Sequence, residues 1–350
     1  MGDRSEIQWT DATWNPVTGC SKVSPGCAHC YAETLTQRYA KGWHVPGLPW
    51  TPKNALDNVI LKPERLDQPL RWSKPRMIFV NSMSDLFHER LTGLKREQAA
   101  DRIFPPDDPA LFAQKEGEPD RPDYIAEVFA VMSLATQHTF QVLTKRPAAM
   151  AALLGWEGFW VRVNAERMRR GAEVLRGGMM DWTAGKQTLP NVWLGTSIES
   201  RHFNWRADAL RNAPAAVRFI SAEPLLGPLV PSNVLHEGDG SFPIHGWPDG
   251  EGGIAYGDDE GLDLDQIDWL IVGGESGPGF RSIATGWVED LRDAALETRR
   301  DPGGPERYVG TSFFFKQWGG RTPKSGGREL DGQEWNEMPV GEPAQIEEAA

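Results

Sequence analysis

Short apolar runs recur along the chain at intervals: Met77-Ile78-Phe79-Val80, Phe140-Gln141-Val142-Leu143, Val192-Trp193-Leu194, Val217-Arg218-Phe219-Ile220, Trp269-Leu270-Ile271-Val272 and Phe313-Phe314-Phe315. With Ile7-Gln8-Trp9 they make seven strand candidates. Near-continuous apolarity, rather than strict alternation, belongs to strands buried on both faces, as in a parallel sheet. Between the runs lie helical patterns. Ile125, Val128, Phe129, Met132 and Ala135 recur at spacings of three and four and mark one helix face. Residues 31–41, 95–103, 147–154, 202–212 and 286–299 also read as helices. Strand and helix in alternation predict an α/β fold, a parallel (β/α) barrel that is incomplete, with six or seven strands.

Each strand run is followed by polar residues: Asn81, Ser82 and Asp85; Lys145 and Arg146; Thr196, Ser197 and Glu199; Ser221 and Glu223; Glu275 and Ser276; Lys316 and Gln317. Polar residues mark strand ends in any fold, so no single cluster carries weight. In a parallel barrel, however, the carboxyl ends of the strands share one mouth, where the chemistry sits. The joint pattern predicts that these groups converge.

The barrel is expected over residues 1–320, with surface insertions at about 104–122, 156–190 and 236–266, and 321–350 as a linker and partly disordered tail. The formal net charge is −12, but nine acids between His236 and Gln266 and Glu342, Glu347 and Glu348 near the end account for all of it. The rest is electroneutral, so the charge speaks for solubility and decides nothing about a partner. Residues 156–182 place Arg162, Arg167, Arg169, Arg170 and Arg176 among Trp156, Trp160 and Trp182. Cations near aromatics suit phosphate and base contact, which makes this the candidate nucleic-acid surface. The same stretch also reads as a solvated helix anchored by its tryptophans.

No apolar run reaches the roughly 18 residues of a membrane span. The start, Met1-Gly2-Asp3-Arg4-Ser5-Glu6, has no apolar stretch of a secretory signal and has Glu6 where a myristoylation site needs Ser or Thr. The expectation is a cytoplasmic chain away from membranes. Walker, HExxH and GxSxG motifs are absent.

The three cysteines change the picture. Cys20, Cys27 and Cys30 all fall within eleven residues, spaced C-x6-C-x2-C. An odd, clustered set is not a disulfide framework, and a reducing compartment suits it. Cys27 and Cys30 sit one short turn apart, and Gly19, Pro25 and Gly26 supply the bends that bring Cys20 back. Three thiolates suit an iron–sulfur cluster or zinc. A closed zinc site wants four ligands, with His29 or His44 as candidates for the fourth. A four-iron cluster on three cysteines leaves one iron for a substrate or cofactor. Redox thiols without metal are the third reading.

Asn15-Pro16-Val17-Thr18-Gly19-Cys20 and Pro25-Gly26-Cys27-Ala28-His29-Cys30-Tyr31-Ala32 resemble the cluster loop of radical S-adenosylmethionine (radical SAM) enzymes, distantly the spore photoproduct lyase branch. A closer resemblance is to a phage-encoded three-cysteine-motif family of unknown function. It extends through Asn81-Ser82-Met83-Ser84-Asp85-Leu86-Phe87, Leu143-Thr144-Lys145-Arg146-Pro147, Leu194-Gly195-Thr196-Ser197-Ile198-Glu199, Ser221-Ala222-Glu223-Pro224-Leu225, Gly273-Gly274-Glu275-Ser276-Gly277 and Phe315-Lys316-Gln317-Trp318-Gly319. The usual radical SAM spacing has three residues between the first two cysteines; here there are six.

The resemblance implies that Cys20, Cys27 and Cys30 hold a [4Fe–4S] cluster and that S-adenosylmethionine binds its open iron and is cleaved reductively to drive hydrogen abstraction. The substrate is unknown, with nucleic acid or a nucleotide a candidate. It also implies a flavodoxin- or ferredoxin-like electron donor. His29 stands where the family often has an aromatic beside the adenine. A Gly-Gly-Glu near the second strand helps hold the methionine end in that family; here Gly273-Gly274-Glu275 follows the sixth strand, and Asn81, Ser82 and Asp85 occupy the second-strand position. The candidate cofactor-binding residues are therefore His29, Asn81, Ser82, Asp85, Lys145, Thr196, Ser197, Glu223, Glu275 and Lys316. The alternative is a metal-stabilised nucleic-acid-binding or accessory protein without radical chemistry.

Overall fold

In a computed structural model, residues 5, 7–94, 121–171, 188–230, 261–299, 310–322 and 324–339 are described. The expected helix 95–103 and most of the expected insertions at 104–122 and 236–266 lie outside these residues, as do 172–187 and 340–350.

Seven strands form one parallel sheet: β1 (Ala12–Trp14), β2 (Met77–Val80), β3 (Thr139–Thr144), β4 (Val192–Ser197), β5 (Val217–Ala222), β6 (Trp269–Gly273) and β7 (Ser312–Gln317). Each strand pairs with the next in the chain, so the sheet is wound in one direction. It curls into a half-barrel. Trp9 makes edge contacts with Phe79 of β2 at 5.1 Å and Trp269 of β6 at 5.7 Å. In a flat sheet those strands would stand four spacings, or about 19 Å, apart. The incomplete parallel barrel expected from the pattern is the fold.

Ile7-Gln8-Trp9 is a turn rather than a strand, and the first strand begins at Ala12. Trp9 swings into the concave face, and the Thr10 hydroxyl donates to the Met77 carbonyl at 2.8 Å, fixing the turn against β2. The concave face carries Phe79, Trp193, Phe219, Trp269, Ile271 and Phe314 around it. Gly195 is needed there: a Cβ would lie 2.5 Å from the Phe219 ring. The alternate residues, among them Ile78, Val80, Val142, Ile220, Val272 and Phe315, join the larger outer core under the helices. Both faces are covered, which explains the unbroken apolar runs.

The longer helices are α1 (Tyr31–Trp43), α2 (Arg121–Leu134), α3 (Pro147–Gly155), α4 (Glu157–Arg169), α5 (Trp205–Arg211) and α6 (Thr285–Glu297). The pattern in α2 predicted one apolar face, yet Ala126, Ala130 and Val131 are buried as well. The reason is a second layer: Phe129 meets Phe159 and Trp160 of α4 at 5.4 and 5.9 Å. Residues 324–339, expected as a linker, fold back along β7. Trp335 packs on Phe313 at 5.7 Å, and its carbonyl accepts from the Phe315 amide. Phe314 bridges to Asn336, so this edge of the sheet is covered. Among the described residues, no helix is long and apolar enough to cross a membrane.

Candidate functional site

The cysteine loop leaves β1 and crosses the carboxyl ends of the strands. Gly19 adopts φ +87°, and a Cβ there would fall 1.9 Å from the Asn58 carbonyl oxygen. Its amide donates to the Met83 carbonyl at 2.9 Å, which sets the position of Cys20. Pro25–Cys27 forms a single 3₁₀ turn, and Cys30 caps the amino end of α1. All three thiols are free and half-buried, with Cys20 and Cys30 against Ala32, Trp50 and Met83. Burial pushes the Cys20 thiol up to about 12; Arg146 opposes the shift, while Asp85, Cys27 and Cys30 add to it. Cys30 is also raised by burial, with Cys27 among the lesser causes. The three sulfurs are thus within electrostatic reach of one another.

Groups from later strands clamp this loop. Glu199, beyond β4, accepts from the Gly26 amide at 3.3 Å, Lys145 Nζ at 3.2 Å and Arg206 Nη1 at 3.0 Å. Burial would raise its carboxyl, but Lys145 and Arg206 hold it down at about 2. Glu275, beyond β6, pairs with His29 Nδ1 at 3.0 Å and accepts from the Arg281 amide and Nε, each at 2.9 Å. Burial works against its ionisation too, yet the bonds from Arg281 and His29 bring it to about 2. Arg281 also donates to the Pro25 carbonyl at 3.2 Å.

A second network lies beneath Cys20. Asp85 accepts from Thr144 Oγ1 at 2.7 Å, the Phe87 amide at 3.0 Å, the Lys145 amide at 3.1 Å and Arg146 Nη1 at 3.1 Å. Its burial raises the carboxyl pKa, but these donors hold it below the ordinary carboxylate value. His88 Nδ1 accepts from the Arg90 amide at 3.0 Å, so Nε2 carries the proton toward Ser21 Oγ at 2.8 Å. Burial, with Arg146 adding to it, brings His88 down to about 4.

The structure therefore brings His29, Asp85, Lys145 and Glu275 of the sequence-predicted residues around the cysteine loop. Glu223 and Lys316 form a separate pair at 3.0 Å, with Ser221 Oγ donating to Glu223 at 3.3 Å. Gly273 leaves room for it, since a Cβ would lie 2.4 Å from Glu223 Oε1. Ser82 Oγ meets Asn15 at 3.2 Å, and its carbonyl accepts from Tyr31 Oη at 2.7 Å. Asn81, at φ +60°, accepts from the Val17 amide at 3.4 Å, and its buried Nδ2 has no partner among the described residues. Thr196 and Ser197 are interior braces: the Thr196 hydroxyl donates to the Thr144 carbonyl at 2.9 Å, and the Ser197 carbonyl accepts from Arg206 at 2.8 Å.

Arg206, Arg281, Glu89, His88 and Ser21 escaped the sequence reading. Only Arg206 left a signal: it shares a helix face with Leu210, a position where an apolar residue would be ordinary. Three arginines of the candidate nucleic-acid surface, on α4 and at its end, are tied to acids. Arg162 pairs with Asp123, Arg169 with Glu166, and Arg170 with Asp67 and Glu127. Trp160 is buried and donates to the Leu154 carbonyl at 2.8 Å.

Among the described residues, no three His, Cys, Asp or Glu side chains gather as a ligand group for one metal ion. A single zinc ion asks its sulfurs to meet at one point, about 2.3 Å from each. A cluster takes one sulfur per iron, so its sulfurs stand apart. Three half-buried thiols on one loop are donors of the kind that both iron–sulfur clusters and zinc take.

What fold and site define is an α/β half-barrel with a clamped three-cysteine loop at its carboxyl-end mouth. The chain belongs to the family described as "Protein of unknown function (DUF5131)", whose model matches residues 4–108 and 113–339. No curated protein and no solved structure matches the chain.

Proposed function

We propose that the chain is a radical SAM-like iron–sulfur enzyme, with Cys20, Cys27 and Cys30 as the cluster ligands. The observation that carries this reading is the clamped loop: the only three cysteines of the chain share one segment, and Glu199, Glu275 and Arg281 fasten it over the strand ends. When bound, the [4Fe–4S] cluster supplies the electron for reductive cleavage of S-adenosylmethionine, chemistry that ends in hydrogen abstraction from a substrate. The protein's own work is placement. Glu199 and Glu275 stay ionised and hold the loop through Gly26 and His29. Lys145 and Lys316, each partly exposed and paired to a carboxylate, are the cations available to an anionic group entering the mouth. The aromatic concave face closes the floor against water.

A cytoplasmic setting, a phage or mobile-element origin and a flavodoxin- or ferredoxin-like donor belong to the same reading. The test is anaerobic reconstitution with iron and sulfide, followed by assay for 5′-deoxyadenosine under a strong reductant. The reading expects about four irons and four sulfides per chain, and 5′-deoxyadenosine that is lost in Cys27→Ala. One zinc per chain without sulfide would overturn it in favour of a metal-stabilised accessory protein.

A further inference from the structure

We infer that Arg146 is a positioning residue for the cluster: its guanidinium donates to the Cys20 sulfur and favours the reduced, more negative state of the centre. This rests on the proposed role of Cys20, Cys27 and Cys30 as cluster ligands.

The geometry singles out this side chain. Its Nη1 lies 3.6 Å from Cys20 Sγ and 3.1 Å from Asp85 Oδ2. Its Nε donates to Glu89 at 3.2 Å, and its Nη2 donates to the Ser21 carbonyl at 3.2 Å and hydroxyl at 3.1 Å. The side chain is only 7% exposed. Every edge of the fork is therefore used, and each partner is held from elsewhere: Asp85 by Thr144 and two amides, Ser21 by His88. A lysine, with one nitrogen at the end of its stem, could not meet all of them.

Such fixation costs stability unless it serves something, because burying a guanidinium is expensive. What it serves is the sulfur. A cationic N–H points at the Cys20 sulfur. Cys27 Sγ, by contrast, lies 3.7 Å from the neutral Ser24 hydroxyl. Hydrogen bonds and positive charge at ligating sulfurs stabilise the extra electron of a reduced cluster. Arg146 thus marks one of the three ligands for this effect and raises the potential of the centre.

The experiment uses the full chain, reconstituted anaerobically with iron and sulfide and titrated potentiometrically, with the reduced centre followed by electron paramagnetic resonance (EPR). The double variant Arg146→Gln/Asp85→Asn removes the cation together with one anion, so that fewer buried charges are stranded. Its reduction is expected to be at least tenfold less favourable than in the unmutated protein, or about 59 mV lower for one electron. The control Arg292→Gln/Asp331→Asn, at a surface arginine paired with Asp293 and Asp331, likewise removes one cation and one anion and is expected to leave the midpoint in place. An unchanged midpoint in the double variant would overturn the inference, as would an equal fall in the control.

A second measurement needs no substitution. In protein labelled with guanidino-¹⁵N arginine, the reduced centre is expected to show a ¹⁵N hyperfine coupling in pulsed EPR; its absence would overturn the contact. Failure to take up iron and sulfide at all would instead sink the proposed function, and this inference with it.

Discussion

Along β6 the surroundings change completely within a few residues. Trp269 is wedged among the rings of Trp9, Trp193, Phe219 and Phe314, at 5.7 to 6.1 Å. Gly273 makes room for Glu223, and Glu275 grips His29 and Arg281. One end of the half-barrel is closed by apolar surface, which is non-directional and gains free energy in proportion to area. The other is built from ions, each tolerable in its buried place only because a partner of opposite charge is fixed beside it. The apolar end supplies stability, and the ionic end supplies position. The cysteine loop is fastened at the ionic end, with Cys20 and Cys30 also packed against Ala32, Trp50 and Met83.

That division can be broken most severely at Trp269. Trp269→Ala is expected to lower unfolding free energy by about 3–5 kcal/mol in urea; a loss under about 1 kcal/mol would mean that the concave face is not a packed core.

Acid should attack the ionic end through His88, Glu199 and Glu275. His88 has a folded pKa of about 4, below its ordinary 6.5, so its contribution is complete above pH 6.5 and lost as pH falls toward 4. Glu199 and Glu275, at about 2 against an ordinary 4.5, contribute fully above pH 4.5 and lose this as pH falls toward 2. Urea midpoints measured from pH 7.5 downward should therefore decline in two stages, the first worth on the order of 3 kcal/mol. His88→Gln should shrink that first stage, to which His138, also lowered by burial, contributes the rest, whereas Trp269→Ala should keep it.

Gly195→Ala sharpens the same comparison at a smaller scale. Its new methyl meets the Phe219 ring, and a cost of about 1–3 kcal/mol from overpacking is expected in thermal or urea unfolding. Smallest of all is Arg169→Ala on α4, where the side chain is 60% exposed beside Glu166. Its unfolding free energy should move by less than about 0.5 kcal/mol.

The strands of β2 to β7 were legible because burial on both faces leaves mostly apolar residues to read. The mouth was legible for a related reason: Asp85, Lys145, Glu275 and Lys316 each follow such a run, and parallel strands bring their ends together. Ile7-Gln8-Trp9 misled because a turn that buries its tryptophan has the composition of a strand. Thr196 and Ser197 lie within β4 itself, so their polar groups serve neighbouring backbone and Arg206. Arg281 was invisible, since its partners Glu275 and Pro25 lie six residues before it and 256 residues away. The arginines of α4 suggested a polyanion, because local sequence does not show that Asp67, Asp123 and Glu127 stand opposite. Trp335 and Leu330 turned a composition typical of a linker into a cover for β7.

The central claim is that three sulfurs at this mouth hold a cluster with one iron open to a ligand. Its most direct test is the EPR spectrum of the anaerobically reconstituted, reduced protein, recorded before and after addition of S-adenosylmethionine. The account predicts a [4Fe–4S] signal whose g-values shift when S-adenosylmethionine is added. A cluster signal that S-adenosylmethionine leaves unchanged would contradict it.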